Sequence, residues 1–393
     1  MNLKELQNIN NACFFSLYSR LPIAIVKAKG IYMWDDTGKE YLDFCSGGRA
    51  VCGLGHNPDE VVAAIKEQAE LLIHTSNDFY TVPEAKLAKL LIDNSDFDRI
   101  FFCNSGGESV EAAIKLARRY GKTISDDKVE IVSTYKSFHG RTFAAMTATG
   151  QPKYQDPFKP LVPGFKYVDY NDTNAMLGAI NENTCAVILE PVQGESGVYI
   201  ATDDYLRSIR KRCDEVNAAL IFDEVQTGLG RTGKLFAYMH SGVIPDIIAL
   251  SKTIGGGVPL GAMLANNIVG QAFQPGDHAT TFGGTPIAAA AGFAAVSKII
   301  DDKLAENAKM IGEYLSQKID ALDNQSIIKE KRVIGCMAAI DLNEPVAVNI
   351  QTAARENGLI ILTVGDSILR LLPAMVITKE DVDKALDILN KVI

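Results

Sequence analysis

Short, nearly unbroken apolar runs closed by polar residues recur through the middle of the chain: Ile100–Cys103, Val129–Val132, Ala186–Leu189, Leu220–Phe222 and Ile247–Leu250. Such runs, lacking a polar-apolar alternation, predict strands buried on both faces. Between two of them, Leu206, Ile209, Cys213 and Val216 keep helical spacing over Asp203–Asn217, with Thr202 placed as N-cap. A second helix is predicted over Glu108–Tyr120, with Val110, Ala113, Ile114 and Ala117 turned inward. This alternation predicts an α/β fold with a largely parallel sheet covered on both faces. In such a sheet the ligand crevice lies at the carboxyl ends of the strands.

After about residue 285 the pattern changes. Leu304, Ala308, Ile311, Leu315, Ile319 and Leu322 make one helical face, Val333–Leu342 and Ile368–Leu372 read as strands, and Val382, Ala385, Leu386 and Leu389 make a last helix. A smaller α+β domain is expected there. Gly30–Trp34 and Glu40–Phe44 flank the turn Asp36–Lys39 as a hairpin that is expected to join it. The expected division is an N-terminal segment 1–50 belonging to the small domain, a large domain 51–284, and a C-terminal part 285–393.

A chain of 393 residues, 47% hydrophobic, exceeds one ordinary core and has enough apolar material for two. The net charge of -9 argues against a nucleic-acid partner, which would need clustered Lys and Arg. Seven scattered cysteines without a C-x-x-C pair speak against a disulfide framework and against a metal site, and fit a reducing cytoplasm. Met1–Leu6 carries an early acid and no continuous apolar core, unlike a targeting peptide. Two uncharged stretches, Thr253–Gly276 and Ala279–Ser297, are broken by Gly, Pro and polar residues or built mainly of small ones. They read as buried interior, and no membrane span is expected.

The polar residues that close the apolar runs carry the chemistry. They are Asn104-Ser105-Gly106-Gly107, Glu190-Pro191, Asp223-Glu224-Val225-Gln226 and Ser251-Lys252. Ser105, Gly106 and Gly107 precede a helix, where free N–H groups and absent side chains suit a phosphate. Neither a dinucleotide G-x-G-x-x-G nor a Walker loop is present. Asp223 follows an apolar run, so its carboxylate should be partly buried and in want of a cation. Lys252, followed by Gly255-Gly256-Gly257, would be a desolvated and therefore nucleophilic amine with room beside it for a ring. A lysine and an aspartate at the ends of neighbouring strands are the two groups that pyridoxal 5'-phosphate requires. Phe138 could stack on such a ring, and Arg141 could clamp a carboxylate. His139 between them reads as structural.

Over nearly its whole length the chain resembles the class III aminotransferases of pyridoxal-phosphate fold type I, and within them most the acetylornithine aminotransferases. The resemblance runs through Tyr18–Ile23, Gly55-His56-Asn57-Pro58, Asn104-Ser105-Gly106, Phe138–Thr142, Glu190–Glu195, Asp223–Gly228, Lys252 and Thr281-Phe282-Gly283-Gly284. It implies that Lys252 bears the cofactor and shuttles a proton, and that Asp223 pairs with the pyridine nitrogen. It also implies that Val225 and Phe138 sandwich the ring and that Gln226 meets the phenolic oxygen. Ser105, Gly106 and Gly107 would hold the phosphate together with Thr281 of a neighbouring subunit, so a homodimer with shared active sites is implied.

On the substrate side the resemblance places Tyr18, Arg141, Glu195 and Arg370, with Glu195 masking Arg370 until a second carboxylate arrives. Ser46–Val51 departs from the family's usual Gly-Ile-Ala-Val, which puts Arg49 in the segment that helps line the donor pocket. The implied reaction passes the δ-amine of N2-acetyl-L-ornithine to 2-oxoglutarate, giving N-acetyl-L-glutamate 5-semialdehyde and L-glutamate in arginine biosynthesis. Ornithine, 4-aminobutyrate and succinyldiaminopimelate are alternative donors. An aminomutase, a racemase and a non-catalytic binding protein are alternatives of other kinds.

Overall fold

The computed structural model describes residues 1–393. Near the N-terminus, β1 (Ile25–Lys29), β2 (Tyr32–Asp35) and β3 (Glu40–Asp43) form an antiparallel ribbon, with β2 and β3 joined through the Asp36–Lys39 turn. There follow β4 (Arg99–Cys103), β5 (Glu130–Thr134), β6 (Phe165–Val168) and β7 (Thr184–Leu189). A short hairpin of β8 (Val192–Gln193) and β9 (Tyr199–Ile200) precedes β10 (Ala219–Asp223), β11 (Ile247–Leu250) and β12 (Gly261–Ala265). The last five strands are β13 (Ile328–Ile334), β14 (Met337–Leu342), β15 (Leu359–Ile360), β16 (Leu362–Val364) and β17 (Ile368–Leu371).

Seven of these strands form one sheet in the order β4-β12-β11-β10-β7-β5-β6. All neighbours are parallel except β12, which runs antiparallel to both β11 and β4. Successive strand side chains point to opposite faces, and both faces are covered. Val187, Leu189, Leu220, Phe222, Ile248 and Leu250 join the larger apolar core, while Ala186, Ile188, Ala219, Ile221, Ile247 and Ala249 pack with Val110, Ala113, Ile114 and Ala117 of helix Gly106–Ile124. The runs read as continuous because neither face meets water. Each Leu or Ile so buried contributes roughly 1.5–3 kcal/mol.

Several details depart from the sequence expectation, among them helices Asp59–Leu71 and Val82–Asp93, which it did not include. Helix Gly106–Ile124 begins at Gly106, because Ser105 caps it by accepting the Glu108 N–H. The region Val333–Leu342 spans parts of two antiparallel strands folded back at Gly335, whose φ of 53° suits glycine. Strands β6 and β12 were not anticipated. β12 is built of small residues in an otherwise uncharged stretch, and a Cβ on Gly261 would fall 2.6 Å from the Ser105 carbonyl oxygen. The second uncharged stretch supplies most of helix Pro286–Asp301, and no helix is long and apolar enough to cross a membrane.

In the C-terminal region β13, β14, β17 and β16 make a four-stranded antiparallel sheet. β15 adds in parallel to the N-terminal ribbon, pairing Leu359 with Leu42. Leu372, one residue beyond β17, donates its N–H to the Phe44 carbonyl at 2.6 Å. Residues far apart in sequence thus meet beside the carboxyl edge of the large sheet.

Candidate active site

The parallel strands β5, β7, β10 and β11 run the same way, so Thr134, Leu189, Asp223 and Leu250 end at one edge, and Asp223 lies opposite Ala249. Asp223 is buried and doubly held. Its Oδ1 accepts the Val225 N–H at 3.0 Å, and its Oδ2 lies 2.8 Å from His139 Nδ1. The His139 ring is likewise buried, and its Nε2 has no partner. His139 is the residue that sequence reasoning set aside as structural. Nothing in the sequence marks its contact with a carboxylate 84 positions away.

Glu190, at the end of β7, accepts the Phe138 N–H at 3.0 Å and so fixes the segment that carries Phe138, His139 and Arg141. Burial, with Asp223 nearby, pushes the Glu190 carboxyl well above its usual range. Phe138 meets the Tyr154 ring edge-on at 6.0 Å, and the Arg141 guanidinium lies 4.0 Å from the centre of that ring. Arg141 is exposed and held by an aromatic face rather than by an acid. Its N–H fork remains available to an incoming carboxylate.

Lys252 follows β11 and opens a single turn, Lys252–Gly255, with its own φ at 54°. Burial lowers its amine to about 8, with Arg370 acting in the same sense and Glu195 opposing. Across the edge, the Gly106 and Gly107 N–H groups begin a 19-residue helix and donate to nothing within the chain. A Cβ on Gly106 would lie 2.8 Å from Val225 Cγ1, so glycine keeps the helix start close to the half-buried Val225. Free N–H donors at a long helix start form a fitting anion cradle.

Glu195 joins several groups. Its Oε1 accepts from Gln226 Nε2 at 2.9 Å and from Arg370 Nη2 at 3.1 Å, and its Oε2 accepts from Arg49 Nη1 at 2.8 Å. Burial opposes its charge, yet Arg370, Lys252 and Arg49 together hold the carboxyl at about 2. Arg370, on β17, is fully buried and also donates to the Gly194 carbonyl at 2.7 Å. The Gln226 Oε1 is buried without a hydrogen-bond partner and packs against Gly194, where a Cβ would fall 1.8 Å from it.

Lys252, Asp223, Gly106, Val225, Gln226, Glu195 and Arg370 are thus linked through one edge by contacts or charge. Thr281 and Tyr18 stand apart within this chain. Thr281 is exposed beside the exposed Phe282, and Tyr18, 73% exposed, lies under the Arg20 guanidinium. The free cradle of Gly106 and Gly107, the buried Asp223 carboxylate and the Lys252 amine make a set that fits pyridoxal phosphate.

Comparison with known proteins agrees with this geometry. The description of the family "Aminotransferase class-III" matches residues 16–393. The acetylornithine aminotransferase of Methanocaldococcus jannaschii is 47% identical over 382 residues, covering 96% of this chain and 94% of the relative. A structure of the ornithine aminotransferase from Toxoplasma gondii, described with partial occupancy of PLP at its active site, superposes with a TM-score of 0.94 at 31% identity, covering 99% and 94% of the two chains. The acetylornithine aminotransferase from Elizabethkingia anophelis gives a TM-score of 0.89 at 33% identity, covering 100% and 99%.

Proposed function

The chain belongs to the class-III aminotransferases, and from that premise we propose that it transfers the δ-amine of N2-acetyl-L-ornithine to 2-oxoglutarate with pyridoxal 5'-phosphate as cofactor. The products are N-acetyl-L-glutamate 5-semialdehyde and L-glutamate, a step of arginine biosynthesis carried out in the cytoplasm. The observation that carries the cofactor assignment is the meeting of a low-pKa lysine, a buried aspartate and a free helix start at one sheet edge. The acetylornithine donor is supported by the 47% identity to the Methanocaldococcus jannaschii enzyme.

In this reading the Gly106 and Gly107 N–H groups, with the Ser105 hydroxyl, bind the phosphate. Val225 and Phe138 flank the ring, and Gln226 meets the phenolic oxygen. Asp223 keeps a proton on the pyridine nitrogen, and His139 orients Asp223 through the bond to Oδ2. When bound, the cofactor supplies a carbonyl that takes the amine and a ring that withdraws electrons from the reacting carbon. Lys252 moves a proton at that carbon, a task suited to an amine brought near 8, which has a far larger neutral fraction around physiological pH than an ordinary lysine.

Substrate selection falls to the charged groups. Arg141 binds the carboxylate of the donor. Glu195 covers Arg370 meanwhile, because an unpaired buried guanidinium would be costly and would draw any acid into the site. 2-Oxoglutarate brings a second carboxylate, which replaces Glu195 on Arg370. Thr281 completes the phosphate site of a second copy, so the working unit is a homodimer. Its exposed neighbour Phe282 belongs to the surface that the second copy covers. We assign residues 51–284 to a large cofactor domain, and 1–50 with 285–393 to a small one, a division supported by the pairing of β3 with β15.

Single-turnover half-reactions with N2-acetyl-L-ornithine, L-ornithine, 4-aminobutyrate and N-succinyl-LL-diaminopimelate test the donor. Acetylornithine should show the largest rate over dissociation constant. Faster turnover of free ornithine, the donor of the Toxoplasma gondii relative, would overturn the choice.

A further inference from the structure

The Glu195 carboxylate is shared between two guanidinium groups of unlike character. Arg370 reaches Oε1 from β17 with its side chain 1% exposed, and its Nε has no partner. Arg49 reaches Oε2 from the other side with its side chain 64% exposed. Glu195 is therefore held at one end by an interior cation and at the other by a cation at the mouth of the site.

Arg49 stands on a tight five-residue turn, Ser46–Ala50. Its backbone takes left-handed φ at Ser46 (47°), Gly47 (73°), Gly48 (104°) and Ala50 (60°). Non-glycine residues keep such φ values only where surrounding contacts impose them. The contacts here are plain. Asp43 accepts the Cys45 and Gly47 N–H groups at 2.7 and 2.6 Å, and the Ser46 hydroxyl donates to the Leu372 carbonyl. Leu372 lies two residues beyond Arg370, so the turn bearing one guanidinium is bonded to the segment bearing the other. The fold holds both on one carboxylate.

We propose that Arg49 is a positioning residue that keeps hold of Glu195 as it leaves Arg370, and that it thereby determines specificity for dicarboxylate acceptors. The inference rests on the reading above, in which Arg370 receives the acceptor's second carboxylate. A carboxylate stripped of its cation in a partly buried site is costly, and so is the guanidinium it leaves. The incoming carboxylate solves the second difficulty, and Arg49 solves the first. By turning outward, Glu195 gives up its interior partner, retains the one at the mouth and so keeps a charge-assisted bond throughout. A ligand with one carboxylate needs only Arg141 and gains nothing from this exchange.

Calorimetric titration of the holoenzyme with glutarate, a dicarboxylate without a reactive carbonyl or amine, and with pentanoate as its monocarboxylate counterpart tests this directly. In Arg49→Gln the glutarate Kd should rise about tenfold while the pentanoate Kd stays within about twofold, and Arg49→Lys should recover part of the loss. In a Glu195→Gln background the same Arg49→Gln change should alter glutarate binding by less than about twofold, because no carboxylate is left to hold. Unchanged or tighter glutarate binding in Arg49→Gln would overturn the proposal. So would a full loss that persists in the Glu195→Gln background, since Arg49 would then be touching the ligand itself. If the wild-type enzyme fails to prefer glutarate over pentanoate, the acceptor role of Arg370 falls. If wild type keeps the preference and Arg49→Gln is indifferent, only the role of Arg49 does.

Discussion

Lys252 sits at φ 54°, a backbone conformation that costs a non-glycine residue roughly 1–3 kcal/mol. The Ser251 hydroxyl steadies it by donating to the Leu260 carbonyl at 2.8 Å, and the turn closes through Gly256 N–H to the Thr253 carbonyl. The strained turn places the amine where burial brings it to about 8. In the cofactor-free protein, the rate of Lys252 modification by trinitrobenzenesulfonate should therefore rise with a midpoint near pH 8, measured by peptide mass spectrometry. A midpoint near 10 would contradict the burial that lowers it. The place of Lys252 at a strand end was legible in the sequence, as was that of Asp223. The partners of Asp223 were not, because His139 reaches it only through a turn fixed by Glu190 and Thr149.

Helix Gly106–Ile124 and strand β3 show what elements contribute beyond their own residues. The helix packs so closely at its far end that a Cβ on Gly121 would lie 2.2 Å from the Lys128 carbonyl oxygen and 2.6 Å from Cys185 Cβ. Gly121→Ala, favourable by helix propensity alone, should instead destabilise the protein by about 1–3 kcal/mol in urea unfolding. The end of β3 is tied down by Asp43, whose Oδ2 lies 2.8 Å from His56 Nε2. The Asp43 bond is the main cause that raises His56 to about 9. The folded value is above the unfolded one, so this stabilisation is complete below about pH 6.5 and fades as pH rises through 9. Its size is roughly 3 kcal/mol. The stability gap between wild type and His56→Gln should accordingly be wide at pH 6 and nearly closed at pH 10, and a gap independent of pH would refute it. Hydrophobic periodicity located helices Gly106–Ile124, Asp203–Val216, Leu304–Asp320 and Lys379–Asn390, but not Asp59–Leu71, Val82–Asp93 or Pro286–Asp301. It also missed β6, whose Phe165-Lys166-Tyr167-Val168 is interrupted by a charge, and β12, whose Gly261, Ala262 and Ala265 are small and whose Gly261 lies too close to the Ser105 carbonyl to carry a side chain.

At the scale of the molecule, the large aromatic side chains of Phe15, Tyr80 and Phe282 are each left open, at 88%, 106% and 58% exposure. A second copy is the expected cover, and sedimentation should give twice the mass of the 42.6 kDa chain. Phe15→Glu with Tyr80→Glu should yield a monomer that retains cofactor more than about tenfold less tightly, because Thr281 of the second copy is then lost from the phosphate site. A dimer that persists, or a monomer that keeps its cofactor, would count against shared sites. By itself the sequence determined five of the seven strands of the large sheet, the helices Gly106–Ile124 and Asp203–Val216, and the strand ends where Asp223, Lys252 and the Ser105–Gly107 cradle lie, since burial on two faces and helix capping are written in short stretches of residues. Only the tertiary structure decided which charges meet. Arg49, Glu195 and Arg370 come from a strained turn, a loop after β8 and a strand of another sheet. They form one group because the Ser46 and Leu372 hydrogen bonds join segments more than 300 residues apart, a contact with no local pattern to announce it.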